Sequence, residues 1–192
     1  MGSDHAGYEL KRQVARQLVD AGHEVVDLGT GSAEVPVDYP EYGRAVAECV
    51  VSGGADCGVC VCGTGIGISI AANKVAGARA ALAYDVTTAS LARRHNDANV
   101  LCLGGRTIGA AQAADVVTTF LHTAFEGGRH QRRIDAIARD EASSAAGPVG
   151  PPVAVARRSR SRSRDGLGEE RGLRGVEGER RGGPGERQAS AR

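Results

Sequence analysis

The sequence predicts an α/β fold in which helices cover both faces of a mostly parallel sheet. Short apolar stretches alternate with segments of helical periodicity along residues 8–139, which is the pattern of such folds. Aromatic residues make up only 3% of the chain and Trp is absent, so the core must be built from Val, Ile, Leu and Ala. No apolar run approaches the ~20 residues that a membrane span needs, and a net charge of +1 favours no particular partner.

The elements follow one another at short spacing. The first predicted helix, Tyr8–Ala21, repeats apolar residues at Leu10, Val14 and Leu18. The fourth begins at Asp85, whose carboxylate is a suitable N-cap. The other predicted helices cover 42–52, 68–75, 110–121 and 129–139, and the predicted strands cover 24–28, 57–62, 79–83 and 99–103.

The composition divides the chain in two. Residues 1–141 form the predicted domain, and 142–192 form an Arg/Gly/Glu/Ser-rich tail that we expect to be disordered, because it has too few apolar residues to offset its ordering entropy. The tail's Arg-Ser repeat, 157–164, could bind RNA or be phosphorylated, but it lacks aromatic residues for base stacking. A solvated extension is favoured, and no nucleic-acid partner is expected.

Five cysteines, an odd number, in a chain without a signal pattern indicate reduced thiols in the cytoplasm. Residues 57, 60 and 62 could suggest a metal cluster, but a structural zinc site needs four ligands, usually from two loops. Cys60 and Cys62 should share one face of a strand. We therefore expect small core residues, with Cys62 at the strand end as the candidate functional thiol.

A glycine-rich loop follows Cys62 and leads into a helix near Ile68. Glycines 63, 65 and 67 let backbone amides approach a ligand, and a helix N-terminus suits a phosphate or an oxyanion. Thiols at helix N-termini are activated, so Cys62 is a candidate base or nucleophile. A nucleotide-binding module is an alternative, although its fingerprint would need glycine where Ile68 stands, and the loop could also be only a tight turn.

Polar side chains also cluster elsewhere. Asp4 and His95 fall at or just after the predicted ends of elements, so we expect both to lie near Cys62 at the carboxyl edge of the sheet. Taken alone, His95 could merely complement a helix dipole. Arg129 and Arg133 share a helical face and could clamp a phosphate or form a solvated basic surface.

Six motifs in order resemble those of type B ribose-5-phosphate isomerases, within a broader family that includes galactose-6-phosphate isomerase subunits. The resemblance covers about residues 2–140 and excludes the tail. The motifs are Gly2-Ser3-Asp4-His5-Ala6-Gly7, Asp38-Tyr39-Pro40, Cys62-Gly63-Thr64-Gly65-Ile66-Gly67, Ala71-Ala72-Asn73-Lys74, His95-Asn96-Asp97-Ala98-Asn99 and Glu126-Gly127-Gly128-Arg129-His130.

The resemblance implies a Rossmann-like three-layer α/β/α fold, with residues 1–141 as a sugar-phosphate isomerase domain that needs no metal or organic cofactor. It implies a homodimer or a dimer of dimers in which the arginine helix reaches the neighbouring subunit's site. The implied reaction interconverts ribose 5-phosphate and ribulose 5-phosphate through an enediolate, in the pentose phosphate pathway. A six-carbon substrate, allose or galactose 6-phosphate, is the alternative.

The resemblance also implies roles for individual residues. Cys62 resembles the base, His95 the group that opens the sugar ring with Asp4 nearby, and Thr64 part of the pocket for the enediolate. His5, Arg129 and Arg133 resemble phosphate ligands. The implied substrate-binding residues are Asp4, His5, Gly63, Thr64, Gly65, Ile66, Gly67, Asn96, Arg106, Arg129 and Arg133.

One departure concerns the amino end. Family members begin with a short apolar strand before Gly2-Ser3-Asp4-His5, whereas only Met1 precedes it here. We therefore expect the first strand to be missing and the natural start to lie upstream.

Overall fold

The computed structural model describes residues 1–145, which form an α/β unit of alternating strands and helices. A 3-10 turn at His5–Gly7 follows the first strand. Most of the predicted tail, 146–192, lies outside the described residues. The strands are β1 (Gly2–Ser3), β2 (Gly58–Cys62), β3 (Ala80–Leu82) and β4 (Val100–Gly104), and the helices are α1 (Tyr8–Asp20), α2 (Tyr39–Val51), α3 (Ile66–Ala72), α4 (Val86–Asn96), α5 (Ala110–His122) and α6 (Arg129–Ala145).

The strands form one parallel sheet in the order β1-β2-β4-β3. Strands β2 and β4 lie at its centre and are buried along their whole length. Helices α1, α4 and α5 pack on one face, and α2 and α3 pack on the other. The predicted three-layer α/β/α architecture is therefore confirmed.

Alternation along the central strands divides the core in two. Val59 and Val61 of β2 pack with α1 and α5, whereas Cys60 and Cys62 face the opposite cluster. This confirms that the two cysteines share a face. Burial raises the pKa of Cys57. A hydrogen bond with Cys60 is the largest cause that raises the pKa of Cys102, and burial is the second. Both thiols therefore stay protonated at neutral pH.

Helices α4 and α5 run back from the carboxyl edge of the sheet to its amino edge. Helix α4 begins just after β3, is about 16 Å long, and ends before Asn99. The Asn99 side chain accepts a hydrogen bond from the Arg79 amide at 2.7 Å and donates one to the Gly77 carbonyl at 2.9 Å, at the start of β3. The residues that end α4 therefore lie at the amino edge.

The amino end differs from two expectations: that the first strand is missing, and that residues 24–28 form a strand. The first strand is present but only two residues long, pairing Gly2 with Cys60 and Ser3 with Val61. The prediction of a strand over 24–28 is wrong, because so short a partner supports no ladder there. The segment still lies beside β1, with hydrogen bonds from the amide of Leu28 to Met1 and from Thr30 to Ser3.

A cavity of about 430 Å³ opens beside Met1, between the 23–28 segment and the first residues of β2. Beyond it, the buried ammonium of Lys11 holds the loop down, lying 2.8 Å from both carboxylate oxygens of Asp27 and 2.9 Å from the Thr30 carbonyl. The loop that follows the segment is thus fixed to α1 by a charged anchor, in addition to its two backbone hydrogen bonds with the first strand.

The remaining boundaries lie within a few residues of prediction, and Asp85 caps α4 by accepting from the Thr88 amide at 2.7 Å. Helix α6 continues to Ala145, past the predicted end at 139 and the predicted domain boundary at 141. Across the described part of the chain, every helix is too short or too polar to cross a membrane.

Candidate functional site

Three loops meet at the carboxyl edge of the sheet, at 4–7, 62–67 and 104–106. The Gly105 amide donates to the Cys62 carbonyl at 2.8 Å, and the Arg106 amide donates to the Gly63 carbonyl at 2.9 Å. A Cβ on Gly7 would lie 2.3 Å from the Val61 carbonyl oxygen, so only hydrogen fits where the turn crosses β2. These backbone hydrogen bonds and the close approach at Gly7 hold the three loops together.

Cys62 ends β2 with its side chain against this loop. The residue is buried and packs on Ile68 of α3, yet its Sγ accepts a hydrogen bond from the Gly65 amide at 3.2 Å. A neutral thiol is a weak acceptor, whereas a thiolate is a strong one. The thiol thus faces the amide donors of the loop, as the sequence predicts.

Gly65 is the residue on which the loop conformation depends. Its φ is +78°, and an added Cβ would lie 2.5 Å from Leu82 and 2.9 Å from the Leu103 backbone. We expect Gly65→Ala to destabilise the protein by about 2–4 kcal/mol, because positive φ and overpacking add. Urea unfolding measures this, and Gly31→Ala is the control, since nothing lies within 4 Å of its added Cβ. Equal stability of the two variants would contradict the assignment.

Asp4 and His5 lie on the neighbouring loop. Asp4 is buried and accepts from the Gly7 amide at 2.9 Å, which makes it the cap of the 3-10 turn. His5 Nδ1 lies 3.2 Å from both the carbonyl oxygen and the amide nitrogen of Val37, so its tautomer decides whether it donates to the one or accepts from the other. In either tautomer Nδ1 is engaged by the backbone, which leaves Nε2 to face a ligand.

The other residues of this edge are more exposed. The hydroxyl of Thr64 accepts from the Ile66 amide at 3.3 Å, and its carbonyl accepts from the Tyr84 hydroxyl at 3.3 Å. The side chain of Arg106 lies 3.6 Å from where a Cβ on Gly63 would stand. This edge thus combines a thiol, a hydroxyl, a guanidinium and the loop amides.

A second polar cluster lies at the amino edge, where α4 ends and α6 begins. The rings of His95 and His130 stack with centroids 4.2 Å apart and planes 4° from parallel. Each ring places Nε2 3.6 Å from the same Glu126 carboxylate oxygen, and Arg94 Nε binds the other oxygen at 2.6 Å. The hydrogen bond from Arg94 lowers the pKa of Glu126, with smaller contributions from the charges of Arg94, His95 and His130, so its carboxylate is ionised at neutral pH.

The remaining predicted residues surround this cluster. Arg129 and Arg133 are exposed on α6, and Arg129 Nε donates to His130 Nε2 at 3.3 Å. Asn96 is exposed, and its carbonyl accepts from Arg79 at 3.1 Å. Three cationic or polar side chains are therefore exposed at this edge.

The predicted residues thus form two groups. Asp4, His5, the 62–67 loop and Arg106 meet at the carboxyl edge, while His95, Asn96, Arg129 and Arg133 lie at the amino edge. The prediction that His95 lies beside Cys62 in the same chain is wrong, because His95 is near the carboxyl end of a helix that runs away from the loop.

Sequence reasoning assigned no role to Glu126, His130 or Tyr39. Glu126 and His130 stand in the quoted Glu126-Gly127-Gly128-Arg129-His130 motif, which was the available signal. The Tyr39 ring covers the glycine loop so closely that a Cβ on Gly67 would lie 2.5 Å from it. His95, Glu126 and His130 also offer three donor atoms within 4.8 Å, a set that could hold a metal ion.

Comparisons with known proteins agree with these motifs. The model of the family described as Ribose/Galactose Isomerase matches residues 1–137. Ribose-5-phosphate isomerase B of Escherichia coli K12 is 48% identical over 136 residues, which cover 71% of this chain and 91% of that protein.

Solved structures of similar proteins give the same result. That of Clostridium thermocellum ribose-5-phosphate isomerase B is 51% identical, with a TM-score of 0.73, over 74% of this chain and 96% of that one. That of Mycoplasma genitalium ribose-5-phosphate isomerase B, with bound ribulose-5-phosphate, is 45% identical with a TM-score of 0.71, over 73% and 93%. The resemblance found in the sequence motifs is thus confirmed, and the chain belongs to the ribose/galactose isomerase family.

Proposed function

We propose that this protein is an aldose–ketose isomerase that interconverts D-ribose 5-phosphate and D-ribulose 5-phosphate, with Cys62 as the base. The observation that carries the proposal is the hydrogen bond from the Gly65 amide to Cys62 Sγ at the carboxyl edge of the sheet. Similarity to ribose-5-phosphate isomerases over residues 1–137 supports the substrate class.

The chemistry requires three steps. Imidazole is suited to opening the furanose, because it can take the proton of the anomeric hydroxyl and return one to the ring oxygen near neutral pH. The Cys62 thiolate then removes the C2 proton, the electron pair forms the C1–C2 double bond, and the C1 carbonyl pair moves onto O1 to give the enediolate. The O2 hydroxyl proton passes to O1, the C2=O bond forms, and the thiol returns its proton to C1. Amides of the 63–67 loop stabilise the oxyanion of this intermediate, with Thr64 beside them.

The phosphate is a remote handle that holds the sugar in register. His5 at the carboxyl edge and Arg129 and Arg133 on α6 are its proposed ligands, because guanidinium forks suit a dianion and the imidazole of His5 can donate to it when Nε2 carries a proton. Asp4 and Arg106 line the same edge as Cys62 and contact the sugar. Asn96 is a further proposed hydrogen-bond donor to the enediolate.

We also propose that each site is built from two copies of the chain. The two groups of residues lie at opposite edges of the sheet, and one sugar phosphate is far smaller than the roughly 16 Å spanned by α4. In a symmetric dimer, the amino-edge group of one copy can meet the carboxyl-edge group of the other. The proposal includes a homodimer, or a dimer of such dimers, in the cytoplasm, where a reducing environment keeps the five free thiols reduced.

The test is an isomerisation assay with ribose 5-phosphate, allose 6-phosphate and galactose 6-phosphate, run with the full chain. We expect kcat/KM to be at least about tenfold higher for the five-carbon substrate, since the Tyr39 ring lies over Gly67 and we propose that it limits the room for an extra carbon. A preference for a six-carbon substrate would leave the assignment as an isomerase standing and change the proposed substrate. Tight nucleotide binding without isomerisation would support the nucleotide-binding alternative instead.

A further inference from the structure

The side chain of His95 is held by two residues to which the sequence motifs assign no role, Glu126 and His130. The His130 side chain is 5% exposed, whereas that of His95 is 34% exposed. The buried ring therefore forms a wall against which the accessible ring stacks, in nearly parallel planes. An aromatic stack of this kind fixes the plane of the outer ring.

Arg129 fixes the tautomer of His130. Its guanidinium Nε can only donate, and it donates to His130 Nε2 at 3.3 Å. The proton of the neutral ring is therefore on Nδ1, a buried atom without a hydrogen-bond partner among the described residues. Burial lowers the pKa of His130, and the charges of His95, Arg129 and Arg133 lower it further against the opposing effect of Glu126, so the ring stays neutral.

With His130 Nε2 acting as an acceptor, only His95, of the two rings that face this Glu126 oxygen, can donate a hydrogen bond to it. The distance of 3.6 Å from His95 Nε2 to that oxygen exceeds a hydrogen bond, and a small rotation of either side chain closes it. Arg94 holds the other carboxylate oxygen, which limits how Glu126 can turn. The ionised carboxylate therefore favours a proton on Nε2 of His95.

A metal ion fits this cluster less well. Lone pairs of imidazole nitrogens lie in the ring plane, so two parallel rings 4.2 Å apart do not direct them at one point. Two arginines, Arg94 and Arg129, also stand against the cluster and repel a cation. The arrangement suits the holding of one imidazole by a carboxylate and a second ring.

We propose that Glu126 and His130 are positioning residues that hold His95 as its Nε2–H tautomer, with bare Nδ1 turned to the sugar. In this state Nδ1 can accept the anomeric hydroxyl proton, and the carboxylate stabilises the imidazolium that forms until its proton passes to the ring oxygen. The O–H bond of the anomeric hydroxyl breaks as its proton moves to Nδ1, its electron pair forms the C1=O double bond, and the C1–O bond of the ring breaks as the ring oxygen takes the proton from Nδ1. The inference rests on the proposed function for its chemistry, but the tautomer itself is independent of turnover.

The test reads the tautomer directly. Two-bond ¹H–¹⁵N spectra of the full-length protein, labelled at its five histidines, are recorded at about pH 8, above the usual histidine range. The His95→Gln spectrum identifies the His95 signals by their loss. We expect Nε2–H in the wild type and a shift towards Nδ1–H in Glu126→Gln, whose amide can donate to Nε2. Arg94→Gln is the matched control, because it removes the arginine and leaves the carboxylate, so the Nε2–H tautomer should persist.

Kinetics give the second measurement. Glu126→Gln should lower kcat by about 10–100-fold, the kinetic equivalent of one hydrogen bond to a charged group, with KM within about twofold because the phosphate ligands are intact. Glu126→Asp should recover part of the loss. His130→Ala should lower kcat by up to about tenfold, and His130→Phe should restore it, since the stack is what is needed.

Two results would overturn the proposal: an unchanged His95 tautomer in Glu126→Gln, or an unchanged kcat in that variant despite an active wild type. A wild type with the Nε2–H tautomer but without isomerase activity would reject the proposed function and leave the tautomer assignment standing.

Discussion

Replacing Cys62 with alanine is expected to lower kcat by about 10²–10⁴-fold, the usual contribution of a positioned base. The Sγ atom lies 3.2 Å from the Gly65 amide at the end of β2, whereas the phosphate ligands lie on other segments. Binding of ribose 5-phosphate should therefore persist when turnover is lost. Steady-state assays measure kcat, and isothermal titration measures binding.

The control for this variant is Cys60→Ala, two residues earlier on the same face of the same strand. Its thiol is fully buried and forms a hydrogen bond with that of Cys102, and among the described residues no loop amide donates to it. Both alanine variants should lose similar stability, about 1 kcal/mol for a small cavity, but only Cys62→Ala should lose turnover. Equal turnover in the two variants would remove Cys62 from the proposed role.

Mixing two inactive variants is expected to restore activity if each site is shared between copies. Cys62→Ala damages the carboxyl edge and His95→Asn damages the amino edge. In a heterodimer, one site receives both mutations and the other receives neither, so about one quarter of all sites in a random mixture are intact. The mixture should regain about that fraction of wild-type kcat, from a background of 1% or less.

A second mixture is the control. Asp4 lies at the same edge as Cys62, so Cys62→Ala mixed with Asp4→Asn leaves every heterodimer site with one defect. That mixture should stay inactive. Native mass spectrometry verifies that heterodimers have formed, and their presence without regained activity in the first mixture would rule out a shared site.

The sequence predicted the elements that depend on local chemistry. Asp85 caps α4 because an aspartate before a helix can accept from the amide three residues later, whatever the rest of the fold does. Cys60 and Cys62 share a face because strand periodicity alone decides it. The prediction of a strand over 24–28 was wrong because a strand needs a partner, and β1 offers only two residues.

The site could be predicted residue by residue but not as an arrangement. Neighbouring motifs along the chain suggested that His95 joins Cys62, whereas the direction of α4 carries it to the other edge. The roles of Glu126 and His130 were missed because they depend on contacts with the His95 ring, which lies 31 and 35 positions earlier in the chain. No local sequence pattern encodes such contacts.

The cavity beside Met1 has a practical consequence. Residues joined ahead of Met1 would pass between Val26 and the start of β2, where this cavity opens. Recombinant versions that differ only in the residues ahead of Met1 should therefore differ in folding yield, and catalytic constants can be compared only between versions that share those residues.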